Sequence, residues 1–515
     1  MATITDQLPL TLDGESLSVE DVVRVARERA TVSLDEASMA RVEASRAYVD
    51  TLIAEDRVVY GITTGFGYFK ERKISPEAVE QLQHNLIVSH SAGVGEPLSV
   101  ETVRAMLLLR ANALAKGYSG IRPETLRLLV EMLNRGVHPR IPSQGSVGAS
   151  GDLSPLSHLA LVMIGEGEAE VGGKVLPGAE ALASVGLSPI KLGAKEGLAL
   201  INGTQAMTAL GALTLSRAQR LAKLADVACG MTLEATLGSP RAYLPHFHAL
   251  RPHPGQQASA RNMTRLTADS ELVASHEGCD QVQDAYSLRC APQVHGASRD
   301  AIDYGAKVVG IELNSATDNP LIFADRDEVL TGGHFHGQPV ALAMDFLAIA
   351  LSELANISER RVERLVNATY SNGLPMFLSE EGGLNSGYMV AQYTAASLVS
   401  ENKVLAHPSS VDSIPTSAGQ EDHVSMGTTA ARKAVNVCDN VERVLAIEFL
   451  CAAQAHDFRK IPAGTGSAAA FAAIRKVVPY LAADRVVAKD IEAMVSIMRD
   501  GSLLAAVEAA CGELE

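Results

Sequence analysis

A mainly α-helical protein, with a globular N-terminal region followed by a bundle of long helices, is predicted by three features of the sequence. Beyond residue 203, four long alanine- and leucine-rich runs (205–237, 339–369, 386–406 and 430–454) intersperse Glu, Arg and Asn among small apolar residues, a composition suited to close packing in a bundle. Before that point, shorter amphipathic stretches alternate with glycine-rich punctuation. No repeat of solenoid period or low-complexity linker stands out. The reading divides the chain into residues 1–202 and residues 203–515.

The N-terminal elements follow in order. Residues 18–56 predict two short helices, with Val22, Val23, Val25 and Ala26 on the first and Val42, Val49, Leu52 and Ile53 on the second. The stretch Tyr60 to Gly67, with glycines at 61, 65 and 67, predicts sharp backbone turns. Helical pattern resumes over 75–87, 97–116 and 122–135, the last opening on Pro123 and closing at Gly136. Residues 142–151 are almost wholly small, and Ser154 as N-cap with Pro155 behind it predicts a helix start directly after them. Gly172-Gly173 followed by Val175 to Pro177 predicts a small hairpin.

Composition excludes several classes of function. The 515-residue chain carries a net charge of −16 and no local Lys/Arg cluster, which argues against a nucleic-acid partner. Six cysteines stand far apart without metal-ligand spacing, as expected of reduced thiols in a cytoplasmic protein. The acidic N-terminal stretch through Val22 does not read as an export signal. The apolar stretch 196–215 is interrupted by Glu196, Asn202, Gln205 and Thr208, so no membrane span is expected. His246 and His248, like His334 and His336, alternate as on one face of a strand, but no carboxylate or cysteine completes either set. No metal is expected.

The small-residue loop carries chemistry. Ala149-Ser150-Gly151 can cyclise if the backbone is bent tightly: the Gly151 amide nitrogen attacks the Ala149 carbonyl carbon. Two waters leave, one from that carbonyl and one from the Ser150 side chain, and a conjugated methylidene-imidazolone ring remains. Glycine leaves its nitrogen unhindered, serine supplies the eliminable hydroxyl, and alanine keeps the turn narrow. An isolated Ala-Ser-Gly is ordinarily a flexible connector. Here it abuts a helix N-terminus, whose partial positive charge favours electron density developing on the ring.

The string GSVGASGDLSPLSHLA at 145–160 resembles the signature of the aromatic amino acid ammonia-lyases, the family of the histidine, phenylalanine and tyrosine enzymes. YGITTGFG at 60–67, LINGTQ at 200–205, QDAYSLRC at 283–290, GGHFHGQPVA at 332–341 and QEDHVSMG at 420–427 occur in that family's order. The resemblance thus runs from about residue 10 to about residue 505. It implies a fumarase/aspartase-like helical architecture and a homotetramer whose subunits share active sites. It also implies a self-formed ring at Ala149, Ser150 and Gly151, with no external cofactor. Tyr60 is the implied base for the β-proton, and Arg289 the implied cation for the substrate carboxylate. Asn202 and Tyr286 stand beside Arg289, Gln283 lies behind them, and Phe335 packs on substrate or ring.

Substrate choice turns on residues elsewhere. Ser89-His90 resembles the histidine enzymes, as does Glu421 within Gln420-Glu421-Asp422-His423, and Met389 matches them as a pocket wall. Glu421 can accept an imidazole N–H hydrogen bond or manage its proton, which a phenyl ring would not require. Thr63 and His334 depart from the histidine pattern. The expected reaction is elimination of ammonia from L-histidine to give trans-urocanate. The competing readings are a lyase or 2,3-aminomutase acting on phenylalanine, tyrosine or a histidine derivative, and a non-catalytic helical assembly protein.

Overall fold

The computed structural model describes residues 9–279 and 281–515; the first eight residues of the acidic N-terminal stretch lie outside the described residues. The protein is mainly helical, and its described residues gather into two compact units. The first comprises residues 1–216, 305–345 and 408–432, and the second comprises 217–304, 346–407 and 433–515. The units therefore interleave along the chain instead of meeting at one boundary after residue 202.

In the first unit, α1 (Val19–Arg27) starts at a reciprocal cap between Ser18 and Asp21, and α2 (Glu36–Ala54) starts at Asp35. α3 (Val79–His90) ends on His90. α4 (Val100–Ala115) is buried from Thr102 to its end and forms the centre of this unit, with α1 and α5 (Pro123–Arg135) packed on it. α5 opens on Pro123 and closes at Gly136 with φ 71°, a left-handed cap that suits glycine. The predicted hairpin pairs Glu168–Val171 with Lys174–Pro177 around Gly172-Gly173.

α6 (Leu153–Met163) begins two residues earlier than the Ser154 cap predicts. Asp152 occupies the cap position, but its carboxylate makes no cap bond and is used elsewhere. Pro155 still falls in the first turn, where no amide hydrogen is needed. After α7 (Gly178–Ser184), the short α8 (Glu196–Ile201) packs with α3 and α6, and the Gly197 N–H donates to Gln83 Oε1 at 2.8 Å. α9 (Gln205–Ala235) follows directly.

The second unit is helical throughout its longer elements. The predicted long runs appear as α9, Gln338–Val366, Met389–Leu405 and Gly427–Arg459. A further helix, Ala291–Glu312, lies outside the four predicted runs. Gly296 is a contact point: a Cβ there would lie 2.3 Å from the Gln256 nitrogen, so helix Pro254–Leu266 crosses at backbone distance. His246 and His248 lie on the short helix Pro245–His248, not on a strand.

Gln338–Val366 is long and apolar enough by composition to cross a membrane, with mean hydropathy 1.7 in its most apolar window. The reading of 196–215 did not cover it. Of that window, 72% is buried inside the protein, the position of a core helix.

The second unit contains a fully buried ion pair. Arg361 grips both oxygens of Glu448 at 2.5 and 2.8 Å, and Thr232 and Ser358 donate to the same carboxylate. Neither ion-pair partner is exposed. Glu448→Ala strands a buried guanidinium and should cost about 3–5 kcal/mol, whereas Arg361→Met with Glu448→Met should cost much less. Melting temperatures of the single and double variants check this.

Candidate active site

The reactive loop is held at both ends by backbone contacts. Upstream of the tripeptide, the Met426 N–H donates to the Val147 carbonyl at 2.9 Å and Ser425 Oγ donates to the Gly148 carbonyl at 3.1 Å. Downstream, the Asp152 N–H donates to the Gly203 carbonyl at 2.6 Å. Both glycines are required here. Gly148 and Gly151 have φ of 68° and 72°, in the left-handed region. A Cβ on Gly148 would stand 2.2 Å from Ser425 Oγ, and one on Gly151 would stand 2.1 Å from the Gly203 oxygen.

Asp152 anchors the downstream end. Its fully buried carboxylate accepts from the Met207 N–H at 2.8 Å, from Ser146 Oγ at 3.0 Å and from Thr428 Oγ1. Burial pushes its carboxyl up, and these hydrogen bonds work in the opposite direction.

The tripeptide faces a cavity of about 800 Å³. Tyr60, His90, Ala149, Ser150, Asn202, Phe335 and Glu421, each expected from the sequence to belong to the site, all line it. Gly151 lies just behind the wall, buried against Gly203. Ser150 Oγ donates to Glu421 Oε1 at 2.9 Å, and Thr416 Oγ1 donates to Glu421 Oε2 at 2.6 Å. Asn202 Nδ2 donates to the Ser150 carbonyl at 2.9 Å. Both ends of the Ser150 residue are therefore held by polar side chains of the cavity.

Electrostatics differ among the groups. Burial pulls His90 below the usual imidazole range, partly countered by the Glu421 charge. Burial pushes the Tyr60 phenol up, and the Glu421 and Asp318 charges push it further, while the Gly67 N–H donates to its oxygen at 3.4 Å and acts the other way. Within one chain, then, burial and these two carboxylates favour the protonated Tyr60 phenol, and Lys70, which also lines the cavity, donates to Gln420.

Four expected site residues lie in the second unit and do not line this cavity: Gln283, Tyr286, Arg289 and Met389. Arg289 stacks over the Tyr286 ring at 4.6 Å, Gln283 is exposed, and Met389 opens its helix. The two departures from the histidine pattern stand clear of the cavity. Thr63 serves its own turn, where Oγ1 accepts from the Val59 N–H at 2.9 Å and donates to the Arg57 carbonyl at 2.8 Å. His334 lines a separate cavity with Tyr118 and Glu312.

Sequence reasoning missed Thr416, Ser425 and Thr428, whose hydroxyls hold Glu421, Gly148 and Asp152. Ser425 sits inside the QEDHVSMG string, so position alone could have flagged it. Thr416 carries no such signal. His336 and His423, whose rings stack at 5.8 Å, also line the cavity.

The chain is similar to known proteins over nearly its whole length. The sequence profile of the family described as aromatic amino acid lyase matches residues 17–476. A histidine ammonia-lyase of Gloeobacter violaceus is 72% identical over the full length of both chains. The crystal structure of histidine ammonia-lyase from Trypanosoma cruzi superposes with a TM-score of 0.91 at 47% identity, covering 98% of this chain and 95% of that one. Tyrosine aminomutase from Streptomyces globisporus superposes with a TM-score of 0.93 at 41% identity, covering 99% and 100%.

The His90 environment gives a pH test. With its folded pKa depressed, His90 stays neutral through the ordinary imidazole midpoint of about 6.5 and gains its proton only at lower pH. NMR titration should place its midpoint below that value, and Glu421→Gln should move it lower still, because the carboxylate charge is what supports the protonated form.

Proposed function

The chain belongs to the aromatic amino acid lyase family, and on that footing we propose that this carbon–nitrogen lyase removes ammonia from L-histidine to give trans-urocanate. The observation that carries the substrate is the meeting of His90 and Glu421 in the cavity that holds Ser150. An imidazole offers an N–H donor and a ring acceptor, and this pair supplies complementary partners for both. A phenyl ring would gain nothing from the carboxylate.

Ala149-Ser150-Gly151 fits the implied methylidene-imidazolone. The left-handed Gly151, its approach to the Gly203 carbonyl and the grip of Asn202 on the Ser150 carbonyl bend the tripeptide as cyclisation needs. Once formed, that group supplies the electrophile that ordinary side chains lack. The remaining work falls to this chain's own residues. Tyr60 accepts the β-proton, Asn202 orients the amino acid backbone, Glu421 and His90 hold the imidazole, and Phe335 packs beside them.

Tyr60 has to become a phenolate to act, and its burial beside Glu421 opposes that. Positive charge must therefore arrive with the substrate ammonium and with Arg289, the partner of the substrate carboxylate. Gln283, Tyr286, Arg289 and Met389 are supplied to each cavity by neighbouring subunits of a homotetramer. The substrate is a free amino acid, and the enzyme acts in the cytoplasm without an external cofactor. The 41% identity to a tyrosine aminomutase supports one second reading, migration of the amine to the β-carbon.

Incubation with L-histidine should generate the ultraviolet band of urocanate. A band with phenylalanine or tyrosine and none with histidine overturns the substrate, and a β-amino acid product identifies the mutase. Intact-mass measurement should find the polypeptide lighter by two waters, with both the mass change and the activity abolished in Ser150→Ala. Arg289→Gln should lower kcat/KM by at least about a hundredfold, the size expected when a forked charge-assisted pair is lost, while leaving the mass change intact.

A further inference from the structure

The Asn202-Gly203 peptide lies between the reactive tripeptide and a buried polar floor that no step of the proposed reaction touches. On the tripeptide side it makes two contacts: Asn202 Nδ2 donates to the Ser150 carbonyl, and the Gly203 carbonyl receives the Asp152 N–H. On the other side, a Cβ on Gly203, whose φ is 153°, would stand 2.4 Å from Gln205 Oε1, 2.7 Å from Arg110 Nη1 and 2.7 Å from Thr317 Oγ1. Only glycine can occupy that gap.

The three floor residues are joined to one another and to the peptide above. Arg110 Nη1 donates to the Asn202 carbonyl at 2.8 Å and to Gln205 Oε1 at 3.0 Å, and Gln205 Nε2 donates to Thr317 Oγ1 at 2.9 Å. The Asn202 carbonyl shares a rigid plane with the Gly203 nitrogen, so the Arg110 bond fixes the peptide plane that lies between the two groups touching the tripeptide, the Asn202 side chain and the Gly203 carbonyl.

Arg110 is expensive to keep. It is fully buried in α4, and its Nε and Nη2 have no hydrogen-bond partner. Partly satisfied buried charge costs stability, and an apolar side chain of similar volume would ordinarily serve packing better. A residue retained at that cost, with its one used nitrogen aimed at the peptide behind the tripeptide, is better explained by positioning than by stability.

We infer that Arg110, braced by Gln205 and Thr317, is a positioning residue for self-processing: it holds the Asn202-Gly203 peptide rigid so that the Gly151 nitrogen is pressed toward the Ala149 carbonyl carbon. This rests on the ring reading above. Arg110 contributes no atom to the ring and does not line the substrate cavity, so it reaches turnover only through Asn202, and its larger effect falls on maturation.

The test follows intact mass against time for freshly synthesised full-length chain, comparing wild type, Arg110→Met, Arg110→Lys and Thr317→Val. Wild type should lose two waters. Arg110→Met should do so about tenfold or more slowly, as expected when a charge-assisted bond aligning the reacting groups is lost. Arg110→Lys should recover part of the rate, since one ammonium can serve the two acceptors that Nη1 serves, and Thr317→Val should slow the loss by less than Arg110→Met. For each variant, the rate of water loss should fall by a larger factor than kcat with L-histidine per ring-bearing chain. If Arg110→Met and Thr317→Val lose water at the wild-type rate, or if kcat per ring falls while processing is unchanged, the inference is overturned. Should Arg110→Met fail to fold, Thr317→Val, which removes only a hydroxyl, decides. A wild type that keeps its full mass instead overturns the ring reading, and the inference with it.

Discussion

The close approach of Gly151 to the Gly203 carbonyl is the constraint on which the rest of the first unit depends. Two backbones can meet at that distance only if neither carries a side chain at the contact, and only if something holds them there against their mutual repulsion. The hold comes from Asp152, whose buried carboxylate is tied to the start of α9 through Met207 and to the loop and the 427–459 helix through Ser146 and Thr428. α6 leaves from the same residue, α8 ends one residue before Asn202, and α4 supports both through Arg110. The helices around the loop thus serve less as a container than as a clamp.

The clamp and the substrate pocket share residues. Asn202 Nδ2 holds the Ser150 carbonyl and Glu421 holds the Ser150 hydroxyl, yet both also belong to the cavity where substrate is expected. A loss of activity on mutating either one therefore mixes failure to mature with failure to turn over. Tyr60, His90 and Phe335 line the same cavity without a hydrogen bond to the tripeptide, so their effects should be confined to turnover.

Much of this was legible in the sequence, for physical reasons. The tripeptide was readable because cyclisation demands particular residue types at adjacent positions, and the strings around Tyr60, Asn202 and Glu421 preserve the residues that meet in the cavity. The long helices were readable from their composition. What escaped notice depends on contacts distant in sequence: Arg110 looks like any arginine in a helix until it is found buried against the Asn202 carbonyl, and Gly296, in the helix over 291–312, is a contact point only where the helix over 254–266 crosses it. The start of α6 was misplaced because Asp152, a natural cap by residue type, has its carboxylate committed to the clamp.

The same reasoning bears on Thr63 and His334. As sequence differences they weigh against a histidine substrate, because other members of the family pattern carry different residues there. In the structure Thr63 satisfies the backbone of its own turn and His334 faces a different cavity. Within one chain neither residue lines the cavity that holds Ser150, so the argument for histidine rests on His90 and Glu421. The open physical problem is the phenol of Tyr60, which burial and two carboxylates hold protonated. Its resolution requires positive charge close to the phenol oxygen when substrate is bound, because only an opposing charge offsets burial and the two carboxylates.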